Sequence, residues 1–255
     1  MMSELLRLCG VSKRYRRGEH SVQVLADVCL EVAGREIVAV VGSPGAGKTT
    51  LLEVAAGMVR ADAGEVHFGD LELGVLSSRA RERLWGHGVA WADRERPRLP
   101  WRIRDYVGLS LAAGRGRGSR EARELAADAL ERVGVGGGAT RRWDELSDWE
   151  RVLVALARAI VSKPRLVLID GLFDGLGRHK TQQAGDLLRE LVDDDRFGVL
   201  MSASDLQNAL VADRVWLFER RGRLRLISGQ PRGEGRVIEF PASAGEGRGS
   251  RTAGS

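Results

Sequence analysis

The fold is decided by one stretch, Ile37-Val38-Ala39-Val40-Val41-Gly42-Ser43-Pro44-Gly45-Ala46-Gly47-Lys48-Thr49. From Gly42 onward it fits the pattern G-x-x-x-x-G-K-[ST], whose glycines let backbone N–H groups point into a tight loop. The branched apolar residues before the loop indicate a buried strand, and a helix is expected from about Gly47 to Ala56. The positive end of that helix then faces the loop. The stretch therefore predicts a loop that holds phosphate groups.

Side chains in and beyond this loop indicate a nucleotide accompanied by a metal ion. The Lys48 ammonium is expected to hold the β- and γ-phosphates, and the Thr49 hydroxyl to coordinate Mg²⁺. A second predicted Mg²⁺ ligand, Asp170, directly follows the apolar run 166–169. The Asn-Lys-x-Asp motif that reads guanine does not occur in the sequence, so ATP is favoured over GTP. The predicted ATP-binding residues of the loop are Gly42, Ser43, Pro44, Gly45, Ala46, Gly47, Lys48, Thr49 and Thr50.

Short apolar runs alternate with helical stretches along most of the chain, which is typical of a parallel sheet covered by helices. Residues 5–9 and 24–32 alternate instead, and predict an antiparallel sheet at one side. Between about 94 and 148 the pattern is helical, without a convincing strand. The predicted strands of the parallel sheet are 35–41, 88–91, 166–169, 198–201 and 214–218. We therefore expect an α/β fold of the P-loop NTPase class, with a RecA-like parallel sheet core, an antiparallel β subdomain and an inserted α-helical subdomain.

The domain organisation follows from composition. A single nucleotide-binding domain is expected over residues 1–230, with the helical subdomain at about 94–148. Residues 231–255 are rich in Gly, Arg and Ser, and we expect disorder from about residue 242. The joints predicted inside the helical subdomain are the glycine-rich stretches 114–119 and 136–138.

The composition excludes several classes of protein. The 255 residues contain only two cysteines, Cys9 and Cys29, which excludes a disulfide scaffold and a structural zinc site. The apolar runs fall short of the ~18 residues of a membrane span, and we expect a cytoplasmic protein without a leader. The net charge is +5, but the excess lies mostly in loops and the tail. Direct binding of nucleic acid is not expected.

Further segments resemble the ATP-binding subunits of ABC transporters, from about residue 4 to residue 228. The stretch Leu146-Ser147-Asp148-Trp149-Glu150 is similar to the signature of that family, and the segment 205–215 is similar to the region after its switch histidine. Residues 11–19 resemble the macrolide-exporter and lipoprotein-release branch. The resemblance implies that Tyr15 stacks on adenine, and that the signature contacts the ATP of a partner subunit.

The sequence also departs from the pattern of the family that it resembles. Asp148 and Trp149 replace the signature glycines, and Glu150 replaces its glutamine. Gly171 stands where the family has the glutamate that orients the attacking water, and Ser204 where it has the switch histidine. The loop that normally carries a glutamine contains Asp93 and no glutamine, and Gly177 replaces a further aspartate. The resemblance therefore implies no intact catalytic residue in this chain.

These departures predict a chain that binds ATP and Mg²⁺ but hydrolyses ATP slowly or not at all. Loss of a positioning group typically costs about 10²–10⁴-fold in rate. The resemblance implies a structural or regulatory subunit on a transmembrane permease, peripheral at the inner face of the cell membrane. It also implies a homodimer, or a heterodimer with a second ATP-binding subunit. The Asp148 carboxylate would repel a partner's γ-phosphate by roughly 3 kcal/mol at ~5 Å.

Two alternatives stay open. The chain could be a working transport ATPase whose base comes from elsewhere, for instance Asp174 or Asp205. It could also be a soluble non-transport ABC module that acts on nucleic acid or ribosomes.

Among the tryptophans, Trp85 and Trp91 are expected in the core. Trp101 is equally compatible with a docking surface for a permease and with burial in the helical subdomain.

Overall fold

The computed structural model of the protein describes residues 4–18, 20–98, 100–115 and 119–229. The predicted tail at 231–255 lies outside the described residues. The strands are β1 (Glu4–Arg17), β2 (His20–Ala33), β3 (Ile37–Val41), β4 (Ala63–Phe68), β5 (Leu71–Glu72), β6 (Val89–Ala92), β7 (Leu166–Ile169), β8 (Gly198–Ala203), β9 (Arg214–Phe218) and β10 (Leu224–Ser228). The helices are α1 (Lys48–Ala55), α2 (Ser78–His87), α3 (Ile103–Arg115), α4 (Ser119–Arg132), α5 (Asp148–Ile160) and α6 (Arg178–Asp195).

The larger sheet has six strands in the order β10-β9-β3-β8-β7-β6. Its strands pair in parallel except β10, which runs antiparallel to β9. Strands β3 and β7 are buried along their whole length, as expected for strands covered on both faces. Because parallel strands end at the same edge, the loops after β3, β7 and β8 meet there. This confirms the predicted α/β fold and its parallel core.

The smaller sheet is antiparallel, in the order β2-β1-β4-β5. Strands β1 and β2 form a long hairpin with several register shifts, and Tyr15 faces Val22 across it. The antiparallel β subdomain was predicted from the alternation in β1 and β2. Strands β4 and β5 were not predicted, because both are short and largely polar.

Helices α3 and α4 occupy the region predicted as a helical insertion. The structure contains one isolated bridge there, Arg102 to Arg142, and no longer strand among the described residues. The glycines 136–138, predicted as a joint, form one turn of 3₁₀ helix instead. The aromatic rings of Tyr106 and Trp143 pack edge to face at 5.7 Å, and both side chains are buried.

Two apolar cores lie on the two faces of the larger sheet. Alternate residues of β3 divide between them, since successive side chains of a strand point to opposite faces. Val38 and Val40 pack with β1, β2 and α1, whereas Ile37 packs with the helices of the other side. Trp85 and Trp91 pack against the first of these cores, as predicted. Trp101 is 37% exposed and is not among the residues of either core, which favours the surface alternative for this residue.

Among the described residues, no helix combines the length and the apolar character that crossing a membrane requires.

Candidate functional site

A cavity of about 840 Å³ opens at the edge where β3, β7 and β8 end. The predicted residues that line it are Tyr15, Pro44, Gly45, Gly47, Lys48, Thr49, Thr50 and Asp170. Gly42, Ser43 and Ala46 belong to the same loop but do not line the cavity. The fold therefore brings the phosphate loop, the predicted metal ligands and Tyr15 to one place.

The phosphate loop depends on glycine where it enters α1. Gly47 has φ +110°, and a Cβ on it would lie 2.7 Å from Val24 Cγ1 and 2.9 Å from the Val24 carbonyl oxygen. A side chain at position 47 would therefore collide with β2. The loop keeps the start of α1 close to the hairpin that carries Tyr15.

The Lys48 ammonium lies over this loop. It donates hydrogen bonds to the carbonyl oxygens of Gly42, at 2.5 Å, and of Ser43, at 3.1 Å. Within the described part of the chain it forms no ion pair with a carboxylate. A cationic group in the cavity wall without an acidic partner suits an anionic ligand such as a phosphate chain.

The predicted metal ligands lie side by side. Thr49 Oγ1 donates a hydrogen bond of 2.8 Å to Asp170 Oδ2, and Ser202 Oγ donates one of 2.6 Å to Asp170 Oδ1. The Ser202 hydroxyl also accepts from the Gly171 N–H at 2.9 Å, so the Asp170 carboxylate is fixed on both oxygens. Hydroxyl and carboxylate oxygens are the ligands that Mg²⁺ prefers. These residues fit a magnesium ion.

The charge of Asp170 also reaches a neighbouring side chain. The pKa of the Glu53 carboxyl is raised above its ordinary value, first by burial and then by the negative charge of Asp170. A bound divalent cation would offset that charge.

The opposite wall of the cavity comes from the β1–β2 hairpin. Tyr15 is 36% exposed and lines the cavity together with Arg16, Val22 and Val24. The Lys13 ammonium lies 5.6 Å from the centre of the Tyr15 ring. An aromatic ring beside apolar side chains is suited to stacking on a flat heterocycle.

The wall beyond the loop carries polar groups that the sequence analysis only partly anticipated. Asp174 Oδ1 accepts three hydrogen bonds, from the N–H of Ser204 at 2.9 Å, from its hydroxyl at 3.0 Å and from Asn208 Nδ2 at 3.0 Å. Asp174, Ser204 and Gly171 line the cavity, whereas Asp205 does not. Of the two alternative bases considered from the sequence, the fold brings only Asp174 to the cavity.

Asp93 lies outside this arrangement. Its carboxylate accepts hydrogen bonds from Trp91 Nε1 at 2.9 Å and from the Glu95 N–H at 3.0 Å. Asp93 does not line the cavity. Both of its oxygens are used by neighbouring residues in β6 and in the loop after it.

The predicted signature forms the start of α5, away from the cavity. Ser147 caps the helix by accepting from the Glu150 N–H at 3.3 Å, and its hydroxyl donates 2.8 Å to Glu150 Oε2. Hydrogen bonds from Arg141 and then from Ser147 lower the pKa of Glu150 to about 2. Both donors of Ser147, the hydroxyl and the backbone N–H, are therefore occupied by the Glu150 carboxylate of the same chain.

The other signature residues divide between core and surface. Leu146 is buried and Trp149 packs half-buried against the helical core. Asp148 is 82% exposed and its carboxylate lies 3.0 Å from Arg151. The bulk of Trp149 thus lies partly inside the subdomain, while the charge of Asp148 faces outward.

Comparison with known proteins identifies the family. The sequence model of a family described as ABC transporter matches residues 25–173, more than half of the chain. The lipoprotein-releasing system ATP-binding protein LolD of Pseudomonas syringae pv. tomato is 36% identical over 216 residues, which cover 84% of this chain and 94% of that protein. The chain belongs to the ABC transporter family. The match to LolD over almost its whole length agrees with the branch that the sequence resembled.

Two further similarities extend this result. The macrolide export ATP-binding/permease protein MacB of Rhodopirellula baltica is 30% identical over 83% of this chain, which corresponds to 31% of that longer protein. The ATP-binding cassette MJ0796 in a dimeric post-hydrolysis state bound to ADP and Pi shares the fold with a TM-score of 0.80 and 22% identity, covering 89% of this chain and 100% of that chain. The ABC cassette fold is thus shared over 89% of the chain.

Two positions at which the sequence resemblance implies departures from the family pattern lie at the cavity wall. Gly171 has φ +57° and places no side chain in the cavity, and Ser204 stands where the resemblance implies a histidine. Ser202, Asn208 and Arg141 were not anticipated. A polar residue in the otherwise apolar strand β8 is the one sequence signal that could have indicated Ser202.

Proposed function

We propose that this chain binds MgATP as the ATP-binding subunit of a transporter in the lipoprotein-release and macrolide-export branch, and that it hydrolyses ATP slowly or not at all. One observation carries the proposal. Lys48, Thr49 and Asp170 line one cavity, while position 171 in the same cavity has no side chain. The sequence therefore keeps the groups that bind a nucleotide and has, at position 171, no side chain that could orient the attacking water.

The binding half of the proposal uses groups with matching chemistry. Among the described residues, the Lys48 ammonium donates only to carbonyl oxygens, so its charge is available to the β- and γ-phosphates. Thr49 and Asp170 would hold Mg²⁺, which when bound neutralises negative charge on the phosphates. Tyr15 would cover the adenine ring.

The catalytic half rests on what phosphoryl transfer needs. Such reactions depend on positioning and on charge stabilisation, since little covalent chemistry is left to the protein. Gly171 cannot orient a water molecule, and the Ser204 hydroxyl already donates to Asp174. Turnover about 10²–10⁴-fold below that of a complete site is expected.

The proposed partners are a transmembrane permease and a second ATP-binding subunit, at the inner face of the cell membrane. The exposed Trp101 supports a docking surface, because exposed aromatic side chains are frequent anchors of interfaces. The exposed carboxylate of Asp148 opposes a close approach to a second γ-phosphate, which favours a different subunit over a second copy.

Retention of labelled ATP by the purified chain tests the binding half. Lys48→Ala is expected to weaken retention by about 10- to 150-fold, the range for a hydrogen bond to a charged group. Lys180→Ala is the matched control, because Lys180 is exposed on α6 and does not line the cavity. Equal retention by the wild type and Lys48→Ala would refute the proposal.

A further inference from the structure

A second carboxylate, that of Asp174, lines the cavity besides that of Asp170. It lies close to the position that lacks a side chain. A Cβ placed on Gly171 would be 3.3 Å from Asp174 Oδ2. The Asp174 carboxylate therefore lies next to the space that the first atom of a side chain at position 171 would occupy.

The hydrogen bonds of Asp174 give its two oxygens different surroundings. Oδ1 is anchored by Ser204 and by Asn208, and Asn208 is itself buried and accepts a hydrogen bond from Thr181 Oγ1 at 3.3 Å. Among the described residues, none donates a hydrogen bond to Oδ2. The anchored oxygen fixes the carboxylate, and the other oxygen is left to a ligand or a water molecule in the cavity.

We propose that Asp174 is a catalytic residue of this chain and supplies the carboxylate that position 171 lacks. The inference rests on the proposed function, because it requires that MgATP occupies the cavity. It deepens that function by assigning the slow hydrolysis to one named atom, Asp174 Oδ2.

The step is a hydrolysis with a simple balance. Asp174 Oδ2 orients a water molecule and takes one of its protons, while the water oxygen forms a bond to the γ-phosphorus. The bond between that phosphorus and the bridging oxygen breaks, and ADP leaves with this oxygen. Asp174 then returns the proton to solvent, so that ADP, inorganic phosphate and one proton are formed.

The geometry also accounts for a low rate. Asp174 has a shorter side chain than a glutamate, and one of its oxygens is bound to Ser204 and Asn208. Reach and orientation are therefore restricted, and small losses of alignment reduce the rate of a positioned reaction strongly.

The test compares single-turnover hydrolysis and nucleotide retention in four forms of the full chain, with Mg²⁺ and radiolabelled ATP. Asp174→Asn is expected to retain ATP within about threefold of the wild type and to lose at least about 10²-fold in rate. Asp205→Asn removes a carboxylate from the same hydrogen-bond network outside the cavity, and is expected to lose less than about tenfold. Asp186→Asn, exposed on α6, is the matched control and is expected to keep the wild-type rate.

Restoring a carboxylate at position 171 distinguishes a catalytic role of Asp174 from a purely structural one. Gly171→Glu in the Asp174→Asn background is expected to recover at least the wild-type rate, which a misfolded loop would not allow. The inference is overturned by a wild type that retains ATP without converting it, by an unchanged rate in Asp174→Asn, or by failure of Gly171→Glu to rescue that variant. A wild type that retains no ATP instead overturns the proposed function.

Discussion

The Thr49 hydroxyl donates a hydrogen bond of 2.8 Å to Asp170, across 121 positions of sequence. Thr49 is the second residue of α1, at the end of the phosphate loop, whereas Asp170 directly follows β7. The two residues meet because β3 and β7 are parallel and end at the same edge of the sheet. Their contact completes a pair of oxygen ligands at the phosphate end of the cavity.

Replacing Asp170 should separate metal-dependent from metal-independent binding of ATP. In Asp170→Asn the hydrogen bond from Thr49 can persist, but the negative ligand for Mg²⁺ is lost. We expect the stimulation of ATP binding by Mg²⁺ to fall about tenfold or more, with binding in EDTA unchanged or improved. Fluorescence titration with a labelled ATP analogue measures both conditions. The same Mg²⁺ stimulation in Asp170→Asn would exclude this aspartate as a metal ligand.

Tyr15 provides a test of the adenine position. Tyr15→Ala is expected to weaken ATP binding by about 2- to 10-fold, because an aromatic pair contributes about 0.5–1.5 kcal/mol. Tyr15→Phe keeps the ring and should bind ATP like the wild type. Inorganic triphosphate, which has no base, should bind equally to all three forms. A loss of triphosphate affinity in Tyr15→Ala would place the ring at the phosphates instead.

Gly47 provides a test of the loop geometry. Gly47→Ala places a Cβ against Val24 at a positive φ, so both overlap and backbone strain oppose it. We expect a loss of at least about 1–2 kcal/mol in the free energy of unfolding. Thermal unfolding should show a decrease in Tm of about 2–8 °C. Gly137→Ala is the control, since a Cβ on Gly137 meets no atom within 4 Å, and a similar decrease there would contradict the account.

Glu150 gives a prediction of pH dependence. Its pKa is lowered from 4.5 to about 2 in the folded chain, so its ionised form stabilises the fold. That contribution is complete above pH 4.5 and is lost as the pH falls toward about 2. Glu150→Gln should therefore lower Tm modestly at pH 7, because a largely solvent-screened pair contributes less than about 1 kcal/mol to the free energy of unfolding. The difference from the wild type should shrink as the pH is lowered through this window.

The control for Glu150 is Glu190→Gln, on the exposed face of α6. It should leave Tm unchanged at pH 7. A gap between Glu150→Gln and the wild type that widens at low pH would have the wrong sign, and would refute the stabilising role of the ionised carboxylate.

Local signals in the sequence were sufficient for the centre of the fold. Strand β3, the phosphate loop and α1 follow one another along the chain, so a single pattern predicted them together. Edge elements were harder to predict, because β10 pairs on one side only and reads Leu-Arg-Leu-Ile-Ser, with exposed positions among its apolar ones. Helix α2, which is strongly polar, was also missed.

The residues of the candidate site were likewise predicted only where a local sequence motif contains them. Lys48 and Thr49 were predicted from a local motif, but the hydrogen bond from Ser202 to Asp170 joins two residues 32 positions apart in the sequence. No periodic pattern encodes such a contact. The sequence offers Asp174 and Asp205 equally as alternative bases. Only the packing of the loops after β7 and β8 shows that Asp174 lines the cavity and Asp205 does not.

The proposed slow hydrolysis predicts that substitutions at positions 171 and 204 raise turnover. Gly171→Glu combined with Ser204→His supplies the side chains that the family resemblance implies at these positions. We expect the single-turnover rate to rise by about 10²–10⁴-fold, since positioning groups contribute on this scale. Nucleotide retention should change little, because Lys48, Thr49 and Asp170 are untouched.

The most direct measurement is a single-turnover assay with purified wild-type protein in excess over radiolabelled ATP and Mg²⁺. It follows both the retention of the label and its conversion to ADP, alongside the Gly171→Glu/Ser204→His variant. The account predicts retained ATP that is converted at least about 100-fold more slowly than in the variant. Conversion by the wild type as fast as by the variant would contradict it.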